Sequence, residues 1–186
     1  SNISKFKLRA KVELKHEKEL SVFSVFGDEA SQSLHLSNIL GASREIKNGI
    51  AFVDPRKIGL GCRIIAPESD TIELLEDLSI KEGTFIEYDT IRLSLCIPDG
   101  TKDLLVNKSV LLEANFDELH GIDWEKGCYI GQEVTARSKF RGLLKRRLVT
   151  VSYKGPSINS GTPILLNGKE VGTIKSSVDG LSIAML

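Results

Sequence analysis

Cysteine is too scarce in this chain, and too scattered, to build a framework. Cys62, Cys96 and Cys128 are odd in number, far apart and free of any C-x-x-C pairing, which argues against a disulfide scaffold and a self-contained zinc site. His16, His35 and His120 each stand alone, with no second ligand type at metal-binding spacing. Long apolar runs are missing as well. None approaches the roughly 20 residues needed to cross a bilayer, and no signal-peptide pattern opens the chain, so it is read as intracellular with no membrane partner. Net charge is absent too, 25 basic residues balancing 25 acidic ones, yet the balance is uneven along the sequence. Between Val134 and Lys169 there is no Asp or Glu, while Arg137, Lys139, Arg141, Lys145, Arg146 and Arg147 fall within one short stretch. That local positive field suits an anionic ligand tail, a partner's acidic patch or nucleic acid phosphate. Alternatively it is a solvated strap balanced in space by Glu113, Asp117 and Glu118. Phe140 is the one aromatic interleaved with these cations, so base stacking has little to work with and direct nucleic acid binding is not expected.

What is present is ordinary for a globular chain: 41% hydrophobic and 27% charged residues, with length for one domain or two. Residues 5 to 14 alternate, with Lys5, Lys7, Arg9, Lys11 and Glu13 on one side and Phe6, Leu8, Ala10, Val12 and Leu14 on the other. This predicts a half-buried strand forming a hairpin with Val22 to Phe26. A serine-rich helix from Asp28 would turn Ala30, Leu34 and either Ser37 or Ile39 inward. Strands are expected at Ala51–Val53 and from Leu60 to Ala66, then a weak helix or loop after Ser69. Thr84 and Glu87 make a capping box for a helix carrying Phe85, Tyr88, Ile91, Arg92 and Leu95, with Cys96 packed in it as a small hydrophobe and Pro98 barring its continuation. Val110 to Ala114 reads as a short extended run. After Gly142 short strands dominate: Arg147 to Tyr153, Pro163 to Leu166 and Val171 to Lys175 across Asn167-Gly168, then Leu181 to Leu186 after Asp179-Gly180. They predict a small barrel or sandwich with an apolar edge strand at its end.

The most informative stretch is Lys126-Gly127-Cys128-Tyr129-Ile130-Gly131-Gln132-Glu133. Gly127 and Gly131 allow a tight exposed turn around Cys128, and Gln132 to Lys139 reads as a short helix. Val134, Ala136 and Phe140 would face inward, and Glu133, Arg137 and Lys139 outward. A thiol just ahead of a helix N-terminus, near Lys126 and Arg137, is placed for activation. The plainer reading is a turn whose cysteine fills a small apolar gap. Upstream, Glu113, Asn115 and Asp117 either hydrogen-bond the N–H edge of a heterocycle or serve as caps and turn residues.

This motif with Arg137 following resembles the signature of the YgfZ-type folate-binding proteins of iron-sulfur enzyme maintenance, relatives of the glycine-cleavage T-protein, an aminomethyltransferase. Supporting stretches are Lys7 to Val12, Asp54-Pro55-Arg56 with Leu60-Gly61 and Arg63, Ile97 to Gly100 with Asp103-Leu104, Glu113 to Asp117, and Gly121-Ile122. The resemblance implies an α+β, T-protein-like fold in incomplete form. A mixed α/β lobe with an antiparallel sheet, residues 1–142, would be followed by a partial C-terminal β-barrel, residues 143–186. It implies tetrahydrofolate as cofactor in a channel lined by Cys128, the functional thiol. Glu113, Asn115, Lys126, Tyr129, Gln132, Glu133 and Arg137 would shape the binding surroundings, and no metal is assigned. It also implies a factor supporting assembly or repair of iron-sulfur clusters in client enzymes, tRNA-modifying ones included, rather than a classical enzyme. The partners would be those clients or assembly proteins. The alternative is an aminomethyl or one-carbon transferase of T-protein type. The cations of the strap are assigned to the folate's glutamate tail or to a protein partner. The expected compartment is the bacterial cytoplasm, with the mitochondrial matrix as alternative. The family carries further sequence before the equivalent of Phe6 and after Leu186, so the chain is expected to be a fragment.

Overall fold

The computed structural model describes residues 9–140, 142 and 144–186. The first strand, β1 (Leu20–Val25), forms close to the expected place but with a different partner. It pairs antiparallel with β4 (Cys62–Pro67), which pairs with β3 (Gly49–Val53), which pairs with β2 (Ser43–Ile46). Residues 1–8 of the proposed N-terminal strand lie outside the described residues. Residues 9–14 are exposed and form no strand, so the proposed hairpin is not made there. Alternation of charge and apolar residues gives a strand its two faces, but it supplies no partner for the ladder.

One face of this four-stranded sheet is the main core. Val25, Ala51, Val53, Cys62, Ile64 and Ala66 point into it, and it is covered by Ala30 of the short helix α1 (Ala30–Ser33) and by Leu34 just after it. Helix α2 (Glu68–Asp77) lies on the same core through Leu74 and Leu75. Ile39 stays outside, 65% exposed, because α1 stops after one turn. Gly61 lets β4 enter the sheet: its φ is +94°, and a Cβ there would run into the Val25 carbonyl.

Helix α3 (Phe85–Ser94) starts at the anticipated capping box. The Thr84 hydroxyl accepts from the Glu87 N–H, and the Glu87 carboxylate accepts from the Thr84 N–H. Phe85, at 90% exposure, projects away from the protein, whereas Arg92 and Leu93 are buried. Cys96 lies beyond the helix end with φ +56° and packs beside the Leu93 cluster. Val110 to Ala114 is not extended. Bonds from the Ala114 N–H to the Val110 carbonyl and from the Leu119 N–H to the Asn115 carbonyl wind this segment into helical turns.

Residues 148–186 form a second antiparallel sheet of β5 (Leu148–Ser152), β6 (Pro163–Leu166), β7 (Lys169–Val178) and β8 (Leu181–Met185), in the order β5-β8-β7-β6. The turn between β6 and β7 uses Asn167 and Gly168 at φ +51° and +77°. β8 is not an edge strand. It sits between β5 and β7, which explains how so apolar a segment is accommodated. Leu148 and Ile183 from this sheet share a core with Leu93 of α3 and with Ala114. The other side of α3, through Tyr88, Ile91 and Leu95, packs on Leu60, Ile97 and Leu119. Together these elements are a mixed α/β lobe with antiparallel sheets and a partial C-terminal β-barrel. Among the described residues no helix is long and apolar enough to cross a membrane.

Candidate functional site

The motif loop is built by local hydrogen bonds. Asp123 Oδ1 accepts from the N–H groups of Glu125 and Lys126 at 2.9 and 3.2 Å, turning the chain into Gly127. The Tyr129 N–H donates to Gln132 Oε1 at 3.1 Å and the Gln132 N–H returns a bond to the Tyr129 carbonyl, closing a turn that Gly131 completes at φ +92°. Helix α4 (Gln132–Phe140) follows, so Cys128 stands on an exposed loop four positions ahead of the helix. The two cations expected to activate it have other partners. Lys126 Nζ lies 4.3 Å above the Tyr129 ring, and Arg137 pairs with Glu133 one helical turn away.

The inner face of α4 differs from the expected one. Thr135 is its buried residue and Ala136 is half-buried, while Val134 and Phe140 are 60% and 76% exposed. Ile130 is 81% exposed beside them in sequence. Lys139 Nζ sits 3.7 Å from the centre of the Trp124 ring, and Trp124 meets Phe140 edge-on at 6.4 Å. Trp124, absent from the residues chosen by sequence, thus ties the loop to the far end of α4. Its being the single tryptophan was the available signal.

Glu113 and Asn115 are occupied by the basic strap. Arg147 Nε donates to Asn115 Oδ1 at 2.6 Å, and Asn115 Nδ2 donates to the Leu148 carbonyl at 3.0 Å. Arg147 also pairs with Asp117 at 2.6 Å and Glu118 at 3.1 Å, and Arg146 with Glu113 at 3.2 Å. Two cations of the strap, Arg146 and Arg147, are therefore balanced in space by the three acids named for that role. Asn115 is buried, with its amide oxygen and nitrogen both engaged, so a heterocycle edge could reach it only by displacing Arg147 or the Leu148 carbonyl. Glu113 and Asn115 thus lie with the strap, whereas Lys126 and Tyr129 are on the loop of Cys128 and Gln132, Glu133 and Arg137 on helix α4. No hydrogen bond or ion pair among the described residues joins that group to Glu113 or Asn115. Arg141 lies outside the described residues.

Two buried carboxylates were overlooked as organising groups. Asp103 accepts from Arg92 Nη1 at 2.7 Å, from the Asp99 N–H and from the N–H and hydroxyl of Ser176, tying α3 to β7. Asp54 accepts from the N–H, Nε and Nη2 of Arg56 and from Arg63 Nε. Burial pushes the Asp54 carboxyl up, but the hydrogen bonds and charge of Arg56, joined by Arg63, outweigh it and hold the group below the usual carboxylate range. A cavity of about 220 Å³ opens nearby between Gly27, Asp28, Asn38, Gly59 and Cys62, whose thiol is pushed up by burial and then by the Asp54 charge. A smaller one, about 160 Å³, lies around Lys47, Asp70 and Glu73. None of the expected folate-site residues, nor Cys128, lines either cavity.

Residues 145–186 match the CAF17 C-terminal beta-barrel domain. The chain is 32% identical over 166 residues to the mitochondrial iron-sulfur cluster assembly factor IBA57 homolog of Dictyostelium discoideum, covering 87% of this chain and 40% of the relative. The Neurospora crassa homolog is 30% identical over 175 residues, covering 91% of this chain and 39% of the relative. Human IBA57 is 28% identical over 192 residues, covering 100% of this chain and 52% of the relative. The chain thus spans about two fifths to half the length of these curated relatives. Each is named mitochondrial, which overturns the expected bacterial cytoplasm in favour of the mitochondrial alternative. Of the resemblance to YgfZ-type proteins, the coarser part is shown: the chain has the fold of the T-protein and YgfZ superfamily and is similar to IBA57-type iron-sulfur cluster assembly factors.

Proposed function

We propose that this chain is the part of a mitochondrial iron-sulfur cluster assembly factor that presents the cluster-handling thiol, Cys128. The observation that carries this reading is the exposure of Cys128 on a loop closed by Gln132 and Gly131, with Ile130 exposed two residues on and Val134 and Phe140 exposed along the helix that follows. Clusters are normally held by four protein ligands. One thiolate therefore holds a cluster only in company, and the exposed apolar side chains offer a partner somewhere to seat. The cluster is cargo, passed between Cys128 and thiolates of the partner. Lys126, held over the Tyr129 ring, keeps positive charge on the same loop, favourable to an anionic thiolate-ligated cluster.

Cells whose full-length protein carries Cys128→Ala should lose activity in iron-sulfur enzymes, and normal activity there would sink the proposal. Anaerobic reconstitution followed by native mass spectrometry should show the cluster bridging two chains. Clients that modify tRNA belong to the same reading and are tested by tRNA modification levels in those cells. Folate dependence is a further proposal, resting on the loop residues Lys126, Tyr129, Gln132, Glu133 and Arg137. Calorimetric titration of the full-length protein with tetrahydrofolate tests it. Release of ammonia from a methylamine-lipoyl donor would instead mark aminomethyl transfer.

A further inference from the structure

The arginines of this chain are not all neutralised alike. Arg92 has Asp103 and Asp89, Arg147 has Asp117 and Glu118, Arg146 has Glu113 and Arg137 has Glu133. At Asp54, by contrast, two guanidiniums share one carboxylate. Arg56 Nη2 and Arg63 Nε both donate to Asp54 Oδ2 at 2.7 Å, while Arg56 Nε takes Oδ1 at 2.9 Å. Asp54 is 1% exposed and held below the usual carboxylate range, so it stays ionised and the cluster carries one net positive charge. Like charges this close repel, and proteins bring them together at a cost that a bound anion offsets.

The donors are also left over. Arg63 spends Nε on Asp54, and Arg56 spends Nε and Nη2, the latter also reaching the Tyr88 hydroxyl at 3.5 Å. Among the described residues neither Nη of Arg63 nor Nη1 of Arg56 has a hydrogen-bond partner. The side chains are 26% and 32% exposed, so these donors meet solvent instead of being sealed in the core. Guanidinium forks match the oxygens of carboxylate and phosphate groups, and burial of the stem with exposure of the tips fixes their direction.

The surroundings supply apolar surface for the rest of a ligand. Arg63 projects from β4 on the face opposite Cys62 and Ile64, directly across from Phe52 on β3. On the same face the next row across three strands is Val22, Ile65 and Ile50, with Val22 60% and Ile50 38% exposed. We propose that Arg56 and Arg63, set side by side on Asp54, form a binding site for a small organic anion, a carboxylate or a phosphate ester, whose apolar body lies along the Phe52 and Ile65 face. In this site Asp54 positions the two guanidiniums and does not contact the ligand. The site is independent of Cys128 and stands whether or not the cluster-handling reading holds.

The test uses the whole chain in chloride of constant ionic strength, titrated with glutarate and, separately, with phenyl phosphate. Each titration is followed by calorimetry and by the shift in Tm. A saturable heat and a rise in Tm above the chloride control are expected for at least one probe. The probe with the higher affinity identifies the anion as carboxylate or phosphate. Arg63→Gln should weaken that affinity tenfold or more, and Arg63→Lys, which keeps the charge but loses the fork, should fall between. Lys145→Gln, a cation outside the cluster, should bind as the parent does. If Arg63→Gln fails to fold by circular dichroism, the Arg63→Lys titration decides. Absence of saturable binding beyond chloride for both probes, or unchanged affinity in a folded Arg63 variant, overturns the proposal.

Discussion

The single side chain with most depending on it is Asp103. Four donors converge on its carboxylate: Arg92, the Asp99 N–H, and the N–H and hydroxyl of Ser176. Asp103→Ala leaves Arg92 charged and 2% exposed with a partner missing. Breaking a buried ion pair from one side costs about 3–5 kcal/mol. Arg92→Met breaks the same pair from the other side: it leaves the Asp103 side chain, at 0% exposure, without its cation but with three of its four donors, so its cost should fall at the lower end of that range. Urea denaturation of both variants checks the order. Asp54 governs acid behaviour in the same way. Its folded pKa is depressed below the ordinary 3.8, so its contribution is fully present above that value and is lost as pH falls through the folded one. Asp89 and Asp99 are depressed likewise, against burial, by Lys102 with Arg92 and by Thr101 with the Lys102 N–H respectively. Stability should therefore hold from neutral pH to about pH 4 and fall below it. Asp54→Asn should flatten that fall, as read by denaturation midpoints between pH 3 and 7.

At the scale of the element, the turns differ sharply in what they tolerate. Gly168 has φ +77° with no atom near an added Cβ, so Gly168→Ala should cost about 1 kcal/mol in backbone strain alone. Gly61 combines φ +94° with a Cβ position already taken by the Val25 carbonyl and by Phe26 Cα at 2.9 Å. Gly61→Ala should cost about 3 kcal/mol or more, because strain and overpacking add and the β1–β4 pairing is forced apart. Thermal melts of the two variants test the contrast. The elements also show which local signals carry. Thr84 with Glu87 and Asn167 with Gly168 announced α3 and the β6–β7 turn, since both devices close within four residues. The inward face of α4 did not announce itself. Phe140 is 76% exposed and meets Trp124 of the loop edge-on, an arrangement that sequence spacing does not encode.

For the molecule as a whole, the decisive packing is α3 between two cores. Leu93 meets Leu148 and Ile183 on one side, and Ile91 meets Leu60 and Leu119 on the other. Thr150 Oγ1 adds a bond to the Leu93 carbonyl at 2.6 Å. Ile183→Ala, at 0% exposure, should cost about 2–5 kcal/mol. Because α3 joins the core of the second sheet to the cluster around Leu60, Ile97 and Leu119, Trp124 fluorescence and far-ultraviolet circular dichroism should report one coincident unfolding transition; two separated transitions would refute that coupling. The sequence by itself determined the local pieces: the mixed composition, the capping box, the Asn-Gly turn, and the glycine-closed loop that sets Cys128 ahead of a helix. These rest on interactions between near neighbours in the chain, so their residue types suffice to encode them. Tertiary structure alone decided that β1 pairs with β4, that β8 lies inside its sheet, and that Arg146 and Arg147 spend their charge on Glu113, Asp117 and Glu118 roughly 30 residues away. It also decided that Arg56 and Arg63 meet on one carboxylate. Such pairings are chosen by the packing of whole faces against each other, and no spacing along the chain specifies which face will be opposite.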